Sequence, residues 1–425
     1  MEKMNNSSQV SIQTNLTFAD VFAGCGGLSL GLINAGWQGV FAIEKHPDAF
    51  GTLKTNLISG RQGNFDWPQW LPPEPIDVTT FITQYEEKLN GLKGNLTLLA
   101  GGPPCQGFSL AGGRIHTDPR NTLTEEYINI VRLLEPRFLF IENVQGFTIS
   151  FQKNGIGKHK DIPYSSLVIE QLDQLGYESF SEIITFSGYG VPQVRKRFIL
   201  IAVKRDDLAL MKLNGQTPFD LLEANREKFL LSKGLAADAP ISVKEAIGDL
   251  EVRAKELMDS DDSPFNGFKQ IVYNAYSYTS PFIELMRENS DTSPNSMRLP
   301  RHNPKTIEQF QRIMDSCALG KTISKEDRIR LGINKRAITP LNEASPSATV
   351  TTLPDDIIHY SEPRILTVRE NARLQTFPDS YEFTGNYTTG NKRRKEDCPR
   401  YTQVGNAVPP LFAEAVGQML KELAS

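Results

Sequence analysis

Short apolar runs that alternate with stretches of helical periodicity constrain the fold of this chain more than any other feature of its sequence. Residues 16–23 form the first apolar run and end in the glycine-rich turn FAGCGG, and residues 28–35 follow with helical spacing. A second apolar run at 40–43 ends at Glu44, and a helical pattern covers 47–57. Strand, glycine turn, helix and strand in this order predict a βαβ unit.

The same alternation continues to about residue 205. Further elements are predicted, in chain order, at residues 95–100 (strand), 122–134 (helix), 138–141 (strand), 165–175 (helix), 181–186 (strand) and 198–203 (strand). Strands joined by helices are typical of a parallel, doubly wound α/β sheet. We therefore predict a Rossmann-like domain whose ligands lie at the carboxyl ends of its strands.

The composition changes after this region, where Pro, Asn, Asp and Ser become frequent. We predict a disordered tail at 1–15, a catalytic and cofactor-binding domain at 16–205, a second, smaller domain at 206–347 and a return to the first domain at 348–425. Residues 206–290 hold 15 acidic and 9 basic side chains, whereas residues 298–336 hold 10 basic and 4 acidic ones. The basic half is a candidate phosphate-binding face, and an ordinary solvated face is the alternative.

Composition excludes several functional classes. With 425 residues and a net charge of −4, the chain is long enough for two or three domains and is not a uniformly basic nucleic-acid coat. Its four cysteines include no CxxC pair, so we expect neither a disulfide framework nor a metal site. The chain starts without an apolar signal region and has no run of about 18 apolar residues. These features predict a cytoplasmic protein without a membrane span.

The glycine turn is a candidate nucleoside-binding site. Glycines such as Gly24 and Gly26, between a strand and a helix, let a ligand approach the backbone. Glu44 follows Gly24 by 20 residues and ends the next strand, where a carboxylate can accept hydrogen bonds from ribose hydroxyls. Ser29 occupies the position of the third glycine of the dinucleotide fingerprint, which makes NAD the weaker candidate. A purely structural glycine turn is the alternative.

A cysteine, a glutamate and two arginines are candidates for chemistry at the same edge of the sheet. Cys105 lies in a Pro-Pro-Cys-Gln-Gly loop after a predicted strand, and a cysteine near positive charge is a strong nucleophile. Glu142 ends the next strand, and Arg195 and Arg197 lie two apart before the strand at 198–203, so both point to one face. Together these groups suit covalent attack on an electron-poor ring. A buried apolar cysteine and edge salt bridges are the alternatives.

Seven motifs occur along the chain in a fixed order: DVFAGCGGLSLGL, GGPPCQGFS, DPRN, ENV, QVRKR, LTVRENARLQTFPD and QVGNAVPP. Their order and spacing resemble those of the cytosine-5 DNA methyltransferases of bacterial restriction–modification or phage-defence systems. The resemblance implies S-adenosyl-L-methionine as methyl donor and a target-recognition domain at 206–347. The cofactor-binding positions that it implies are Phe22, Gly24, Gly26, Glu44, Asp77, Pro104, Leu123, Asn406 and Ala407.

The resemblance also implies the chemistry. Cytosine carbon 5 is a poor nucleophile, so Cys105 would add to carbon 6 and make carbon 5 reactive toward the methyl group. Glu142 would bond ring nitrogen 3 and the exocyclic amine, and Arg195 and Arg197 would hold the base carbonyl. Because stacked duplex DNA shields carbon 6, the target cytosine must be flipped out.

Double-stranded DNA is the expected partner. Gln106 and Ser109 lie near the nucleophile and are candidates for filling the vacated space or holding the flipped strand, and Thr349 matches a place where the family contacts the target backbone. Residues 298–336 and 392–395 would supply phosphate contacts. The chain is expected to act as a monomer on DNA, with a cognate restriction endonuclease or other defence protein as a further partner.

Three rival functions remain open from the sequence. A transfer-RNA cytosine-5 methyltransferase shares this architecture but usually has a small recognition region, and the long segment at 206–347 favours duplex DNA. A catalytically silent DNA-binding scaffold is a second rival, against which Cys105, Glu142 and Arg195 argue. A nicotinamide-dependent oxidoreductase would fit the glycine turn and Glu44 alone.

Overall fold

The computed structural model describes residues 16–60, 64–104, 122–149, 163–209, 211, 215–263, 265–290, 293–388 and 397–425. The strands in these ranges are β1 Thr17–Val21, β2 Gln38–Ile43, β3 Leu98–Gly101, β4 Phe138–Val144, β5 Tyr177–Thr185, β6 Lys196–Lys204, β7 Leu257–Asp259, β8 Lys269–Ile271, β9 Thr339–Pro340 and β10 Ile357–Ile358. The helices are α1 Gly27–Asn34, α2 Pro47–Leu53, α3 Val78–Asn90, α4 Thr122–Leu134, α5 Tyr164–Gln174, α6 Arg205–Leu208, α7 Pro218–Ser232, α8 Val243–Ile247, α9 Pro281–Arg287, α10 Pro304–Ser316, α11 Lys325–Leu331, α12 Val368–Leu374, α13 Arg400–Asn406 and α14 Pro410–Ala424.

A six-stranded sheet forms the centre of the molecule, in the order β2-β1-β3-β4-β6-β5. Strands β2, β1, β3 and β4 pair with one another in parallel, as predicted. Strand β6 is antiparallel to both β4 and β5, so the prediction of a fully parallel sheet is wrong at this strand. The link from β5 to β6 contains only a short 3₁₀ turn at Phe186–Tyr189. That link lacks the helix on which a parallel crossover usually depends.

The reversal of β6 decides which residues meet at the edge of the sheet. Val144 near the end of β4 pairs with Arg197 near the start of β6, and Glu142 pairs with Ile199. In a parallel arrangement the start of β6 would lie at the opposite edge. Antiparallel pairing therefore brings the QVRKR motif beside the carboxyl end of β4.

Both faces of the sheet are buried. Phe18 on β1 belongs to the core that includes side chains of α1 and α14, whereas Ala19 and Val21 belong to the core that includes side chains of α3, α4 and α5. Because successive strand residues point to opposite faces, one strand contributes to both layers. Two helical layers around one sheet confirm the predicted doubly wound α/β fold.

The region after β6 divides its apolar residues between two cores. Side chains of α7, α8 and α9, such as Phe229, Ile247 and Phe282, join the core on the α1 side of the sheet. Phe310 and Ile313 of α10 belong to a separate small core that also includes residues 323, 333, 338, 358 and 365. The domain boundaries at 205/206 and 347/348 stay a prediction.

Helix α14 lies against α1 and the residues that follow α1. Trp37 Nε1 donates to the Gly417 carbonyl oxygen at 2.9 Å, and a Cβ at Gly31 in α1 would collide with the Pro410 carbonyl oxygen in α14. Small residues thus let α1 and α14 approach each other closely. Among the described residues, no helix has the length and apolar character needed to span a membrane.

Candidate active site at the edge of the sheet

The glycine turn between β1 and α1 has left-handed backbone conformations at three positions. Phe22 has φ 63°, Gly24 φ 57° and Gly26 φ 89°. A Cβ at Gly26 would lie 2.9 Å from Leu57 Cδ1 and 2.9 Å from the Tyr381 hydroxyl oxygen, so a side chain does not fit there. A Cβ at Gly24 would have nothing within 4 Å, so this side of the turn is open to a ligand.

Glu44 is held against this turn through its own carboxylate. Oε2 accepts a hydrogen bond from the Gly24 backbone N–H at 3.0 Å, and Oε1 accepts one from the His46 backbone N–H at 2.8 Å. Each carboxylate oxygen can accept a second hydrogen bond. Glu44 is therefore oriented by the backbone and keeps acceptor capacity for hydroxyl groups of a ligand.

The segment that carries Asp77 is hydrogen bonded to the backbone of Glu44. The N–H of the preceding residue, Ile76, donates to the Glu44 carbonyl oxygen at 2.9 Å. The Asp77 side chain caps α3 by accepting from the Thr80 backbone N–H at 3.0 Å, and it also accepts from the Thr80 hydroxyl. These hydrogen bonds lower the pKa of the Asp77 carboxyl. The structure thus places Asp77 beside the Glu44 segment and gives its carboxylate a capping role.

The remaining cofactor candidates lie on several elements. Phe22 and Leu123 are partly buried against the same core, on the α3 and α4 side of the sheet. Ala407 follows α13 directly, and a Cβ at Gly27 would lie 3.4 Å from its Cβ. Asn406, the last residue of α13, is exposed. Segments far apart in the sequence therefore meet at the glycine turn.

Glu142 and Arg197 form an ion pair at the neighbouring strand ends. Arg197 Nε lies 2.9 Å from Glu142 Oε1, with side-chain exposures of 15% and 11%. The sequence predicts that Glu142 ends its strand. Strand β4 extends to Val144, so Glu142 lies within the strand. Strand β6 likewise begins at Lys196, so Arg197 is part of the strand. The low exposure strengthens the electrostatic interaction of this pair relative to a surface pair.

The segment that leads to Cys105 runs beside Glu142. A Cβ at Gly102 would lie 3.5 Å from Glu142 Oε2, and Asn143 Nδ2 donates to the Pro103 carbonyl oxygen at 3.1 Å. Pro104, the last described residue here, is partly buried. Cys105, Gln106 and Ser109 lie outside the described residues, as do residues 392–395.

Arg195 is almost fully buried, with 2% exposure, behind this ion pair. Its Nη1 donates to the Val350 carbonyl oxygen at 3.0 Å, and its Nε has no hydrogen-bond partner among the residues that the structure describes. Burial, followed by the nearby Arg197 charge, lowers the pKa of Arg195 to about 9, and Glu142 opposes this shift. A buried guanidinium with an unused N–H is a candidate donor to a ligand.

Thr349 lies next to Val350 and contacts the same motif. Its Oγ1 donates to the Val194 carbonyl oxygen at 3.2 Å. Ser347 also bonds this motif, because its carbonyl oxygen accepts from the Val194 N–H at 2.8 Å. The TVTT segment is thereby fixed beside QVRKR.

Sequence reasoning missed two buried glutamines and a buried aspartate near the site. Gln193 and Gln375 share a hydrogen bond of 2.9 Å. Asp20 on β1 accepts from the Ser29 hydroxyl at 2.6 Å, and burial raises the pKa of the Asp20 carboxyl to about 7. The substitution of a fingerprint glycine by Ser29 was the one available signal for this contact. No group of three or more metal-ligating side chains occurs in the described part of the chain.

Comparison with protein families gives a match over nearly the whole chain. A family model described as C-5 cytosine-specific DNA methylase matches residues 16–422. The chain is 30% identical over 422 residues to the Type II methyltransferase M.DdeI of Desulfomicrobium norvegicum, covering 95% of this chain and 88% of that protein. It is 28% identical to the Type II methyltransferase M.XorII of Xanthomonas oryzae pv. oryzae, covering 95% of this chain and 84% of that protein.

Solved structures show a similar fold. A protein described as a DNA modification methyltransferase, encoded within an E. coli prophage, superposes with a TM-score of 0.63 at 22% identity, covering 96% of this chain and 99% of that one. The Dnmt2 methyltransferase of S. pombe superposes with a TM-score of 0.54 at 16% identity, covering 96% of this chain and 100% of that one. At these identities the likeness concerns the fold.

Proposed function

Since the chain belongs to the C-5 cytosine-specific DNA methylase family and is thereby a DNA (cytosine-5)-methyltransferase, we propose that it uses S-adenosylmethionine to methylate carbon 5 of a flipped-out cytosine in a specific duplex sequence. One observation carries this proposal. The Glu142–Arg197 ion pair lies beside the segment 102–104, which leads directly into Cys105. The glycine turn follows a parallel strand of the same sheet, so its ligand would lie at the same edge.

The residues around the turn fit S-adenosylmethionine. The open side of Gly24 leaves room for the ligand, and the free acceptor capacity of Glu44 suits the two ribose hydroxyls. Asp77 would approach the adenine, and the rest of the pocket would be lined by Phe22, Gly26, Pro104, Leu123, Asn406 and Ala407. S-adenosylmethionine, when bound, supplies an electrophilic methyl group on a sulfonium sulfur.

Cys105 would act as the nucleophile. Its thiolate sulfur would bond to cytosine carbon 6, and the electron pair of the C5–C6 double bond would move to carbon 5, which then takes the methyl group. A base, for which a water molecule is the candidate, would remove the carbon 5 proton. The electrons of that C–H bond would restore the double bond as the sulfur leaves with its own pair.

Glu142, Arg195 and Arg197 would bind the target base. Glu142 would accept a hydrogen bond from the exocyclic amine and share a proton with ring nitrogen 3, which favours protonation of that nitrogen as negative charge develops on the ring. The unpaired Nε of Arg195 is a donor for the base carbonyl. Arg197 would orient the Glu142 carboxylate through their 2.9 Å contact. Fixed charges in a poorly solvated site stabilise the charge that develops on the ring more strongly than water does.

DNA recognition is assigned to residues 206–347, with Thr349 at the target backbone and Gln106 and Ser109 near the flipped base. The basic segment 298–336 would supply phosphate contacts that weaken as salt is raised. The relatives are named as Type II methyltransferases. We extend this to the chain as protection of cytoplasmic DNA from a cognate endonuclease, by a monomer acting on each site.

Methyl transfer with a labelled donor tests the function. Purified protein is incubated with S-adenosyl-[methyl-³H]methionine and either duplex DNA or transfer RNA, and bisulfite sequencing then locates the modified cytosines. The proposal expects label in DNA at one sequence word and none with Cys105→Ser. Label confined to transfer RNA would support the RNA alternative, and DNA binding without transfer would support a silent scaffold.

A further inference from the structure

Two buried glutamine side chains connect the segment that carries Arg195 with the segment that carries Ala407. We propose that Gln193 and Gln375 are a positioning pair that couples cofactor binding to placement of the target-base arginine. This inference rests on the proposed function. It concerns residues that touch neither the base nor the donor, so they act only through the segments to which they are bonded.

Gln193, two residues before Arg195, ties the QVRKR motif to Val350 and Leu374. Its Oε1 accepts from the Val350 backbone N–H at 2.8 Å, and its Nε2 donates to the Leu374 carbonyl oxygen at 3.2 Å. Arg195 Nη1 donates to the carbonyl oxygen of the same Val350 at 3.0 Å. Both backbone groups of Val350 are therefore held by QVRKR side chains, so the Arg195 side chain and Gln193 share one anchor.

Gln375 continues the connection to the cofactor side. Its Oε1 accepts from Gln193 Nε2 at 2.9 Å, and its Nε2 donates to the carbonyl oxygens of Val404 at 2.7 Å and Ala407 at 3.2 Å. Ala407 lies against the glycine turn. A displacement of residues 404–407 would therefore change the hydrogen bonds that orient Gln375 and, through it, Gln193.

The pair has a fixed direction, because all four N–H groups of the two amides donate and each amide oxygen accepts a hydrogen bond. A flip of the Gln375 amide would turn its oxygen toward two carbonyl oxygens and its NH₂ toward the NH₂ of Gln193. Both side chains are fully buried, so water cannot replace a lost partner. An unsatisfied amide at this depth is costly, which links the two segments energetically.

The backbone next to Gln375 is strained in a way that supports a functional constraint. Thr376 has φ 63°, a conformation that β-branched residues rarely adopt. Its Oγ1 accepts from the Leu411 N–H at 3.0 Å, at the start of α14. The strained turn at Thr376 therefore holds Gln375 between Gln193 and the start of α14, the helix that follows residues 404–407.

Linkage of the two ligands is the property to measure. If the pair couples the segments, S-adenosylhomocysteine tightens the binding of a duplex that contains the target word, and the DNA tightens S-adenosylhomocysteine by the same factor. Fluorescence anisotropy gives the DNA dissociation constant with and without S-adenosylhomocysteine, and calorimetry gives the reciprocal value. We expect about tenfold coupling in the wild-type protein, within the range usual for coupled sites.

Gln375→Met keeps the side-chain volume and removes both donations, so we expect the coupling to fall to about twofold or less. Gln193→Met should also reduce the coupling between the two ligands, because it removes the other half of the pair. Gln375→Glu keeps the acceptor oxygen and loses both donations, so it too should lose coupling. Gln418→Met, on the exposed face of α14, is the matched control with wild-type coupling.

The outcomes separate this inference from a purely structural role. A lower melting temperature with unchanged coupling in Gln375→Met or Gln193→Met would overturn it, as would a wild-type protein that binds both ligands without coupling. If one variant does not fold, the coupling measured in the other variants decides. A wild-type protein that binds neither ligand would instead contradict the proposed function.

Discussion

The Glu142 carboxylate and the Arg197 guanidinium meet diagonally across two antiparallel strands, with 2.9 Å between Oε1 and Nε. Glu142 is directly opposite Ile199, and Arg197 is opposite Val144. The long arginine side chain therefore extends diagonally past the intervening Asn143–Phe198 pair to reach Glu142. Diagonal neighbours on a sheet lie within reach of long side chains. The contact exists only because β6 runs against β4.

Loss of this ion pair should slow methyl transfer without removing the cofactor. We expect Glu142→Gln to lower the single-turnover rate by about 100-fold or more, since a preorganised charge at the base is lost. Arg197→Lys should cause a smaller loss, because the charge stays while the planar fork is gone. Rapid-quench measurement of labelled DNA gives both rates. Arg205→Lys, in an exposed pair with Asp173, is the control with a wild-type rate.

The nucleophile can be tested by trapping. Duplex DNA with 5-fluorocytosine in the target word should form a protein–DNA adduct that survives denaturation, because fluorine cannot leave as a proton. Cys105→Ser should give no adduct while S-adenosylhomocysteine binding persists in calorimetry. Cys317→Ser, at a partly exposed free cysteine, should still be trapped. Adduct formation by Cys105→Ser would assign the attack to another residue.

The glycine turn should tolerate no side chain at Gly26. Gly26→Ala combines a left-handed φ of 89° with Cβ distances of 2.9 Å to Leu57 and Tyr381, so we expect a loss of about 2 kcal/mol or more in the free energy of unfolding. Gly176→Ala shares a φ of 85° but has nothing within 4 Å of its Cβ, so it isolates the backbone cost. Urea unfolding and cofactor calorimetry measure both effects. Equal behaviour of the two variants would contradict the steric explanation.

Asp20 should give the protein a distinctive dependence of stability on pH. Burial is the main cause that raises the pKa of the Asp20 carboxyl from its ordinary value of 3.8 to about 7 in the folded protein. Between about pH 4 and pH 7 the folded state therefore binds more protons at Asp20 than the unfolded state does, and this contribution to stability falls as pH rises. The total across the window is about 4 kcal/mol at most.

Asp20→Asn removes the titrating carboxyl and with it this pH-dependent contribution to stability. The difference in unfolding free energy between wild type and variant should therefore change with pH in that window and level off above it. The Ser29 hydroxyl donates to Asp20 and lowers the pKa of that carboxyl. Ser29→Ala should therefore extend the window to higher pH. Urea denaturation at several pH values tests both, and a pH-independent difference for Asp20→Asn would show that Asp20 is charged throughout.

The positions of most strands and helices around the central sheet could be predicted from the sequence, because buried faces require apolar residues at regular spacing. The helix predicted at 122–134 is α4, Thr122–Leu134, and the first four strands lie where short apolar runs occur. The direction of β6 has no periodic signal, since an apolar run reads the same in either direction. The only indication that β6 is antiparallel was the link after β5, which is too short for the usual crossover helix.

The candidate site was predictable only in part for a similar reason. The apolar runs mark Glu142 and Arg197 as residues near strand ends, and the structure, which places both inside their strands, brings them together. Gln193 and Gln375 are held by backbone groups from distant parts of the chain, so neither residue has a local pattern that marks it. Buried polar networks of this kind depend on the tertiary structure and appear only with it.

Val408 lies against the glycine turn although the two are far apart in the sequence, and its carbonyl oxygen would collide with any Cβ at Gly27. A ribosome must therefore synthesise the polypeptide past Val408 before the first turn of the sheet acquires its lining. Products cut off before Val408 by premature termination or by proteolysis would carry Cys105 and Glu142 but lack this wall.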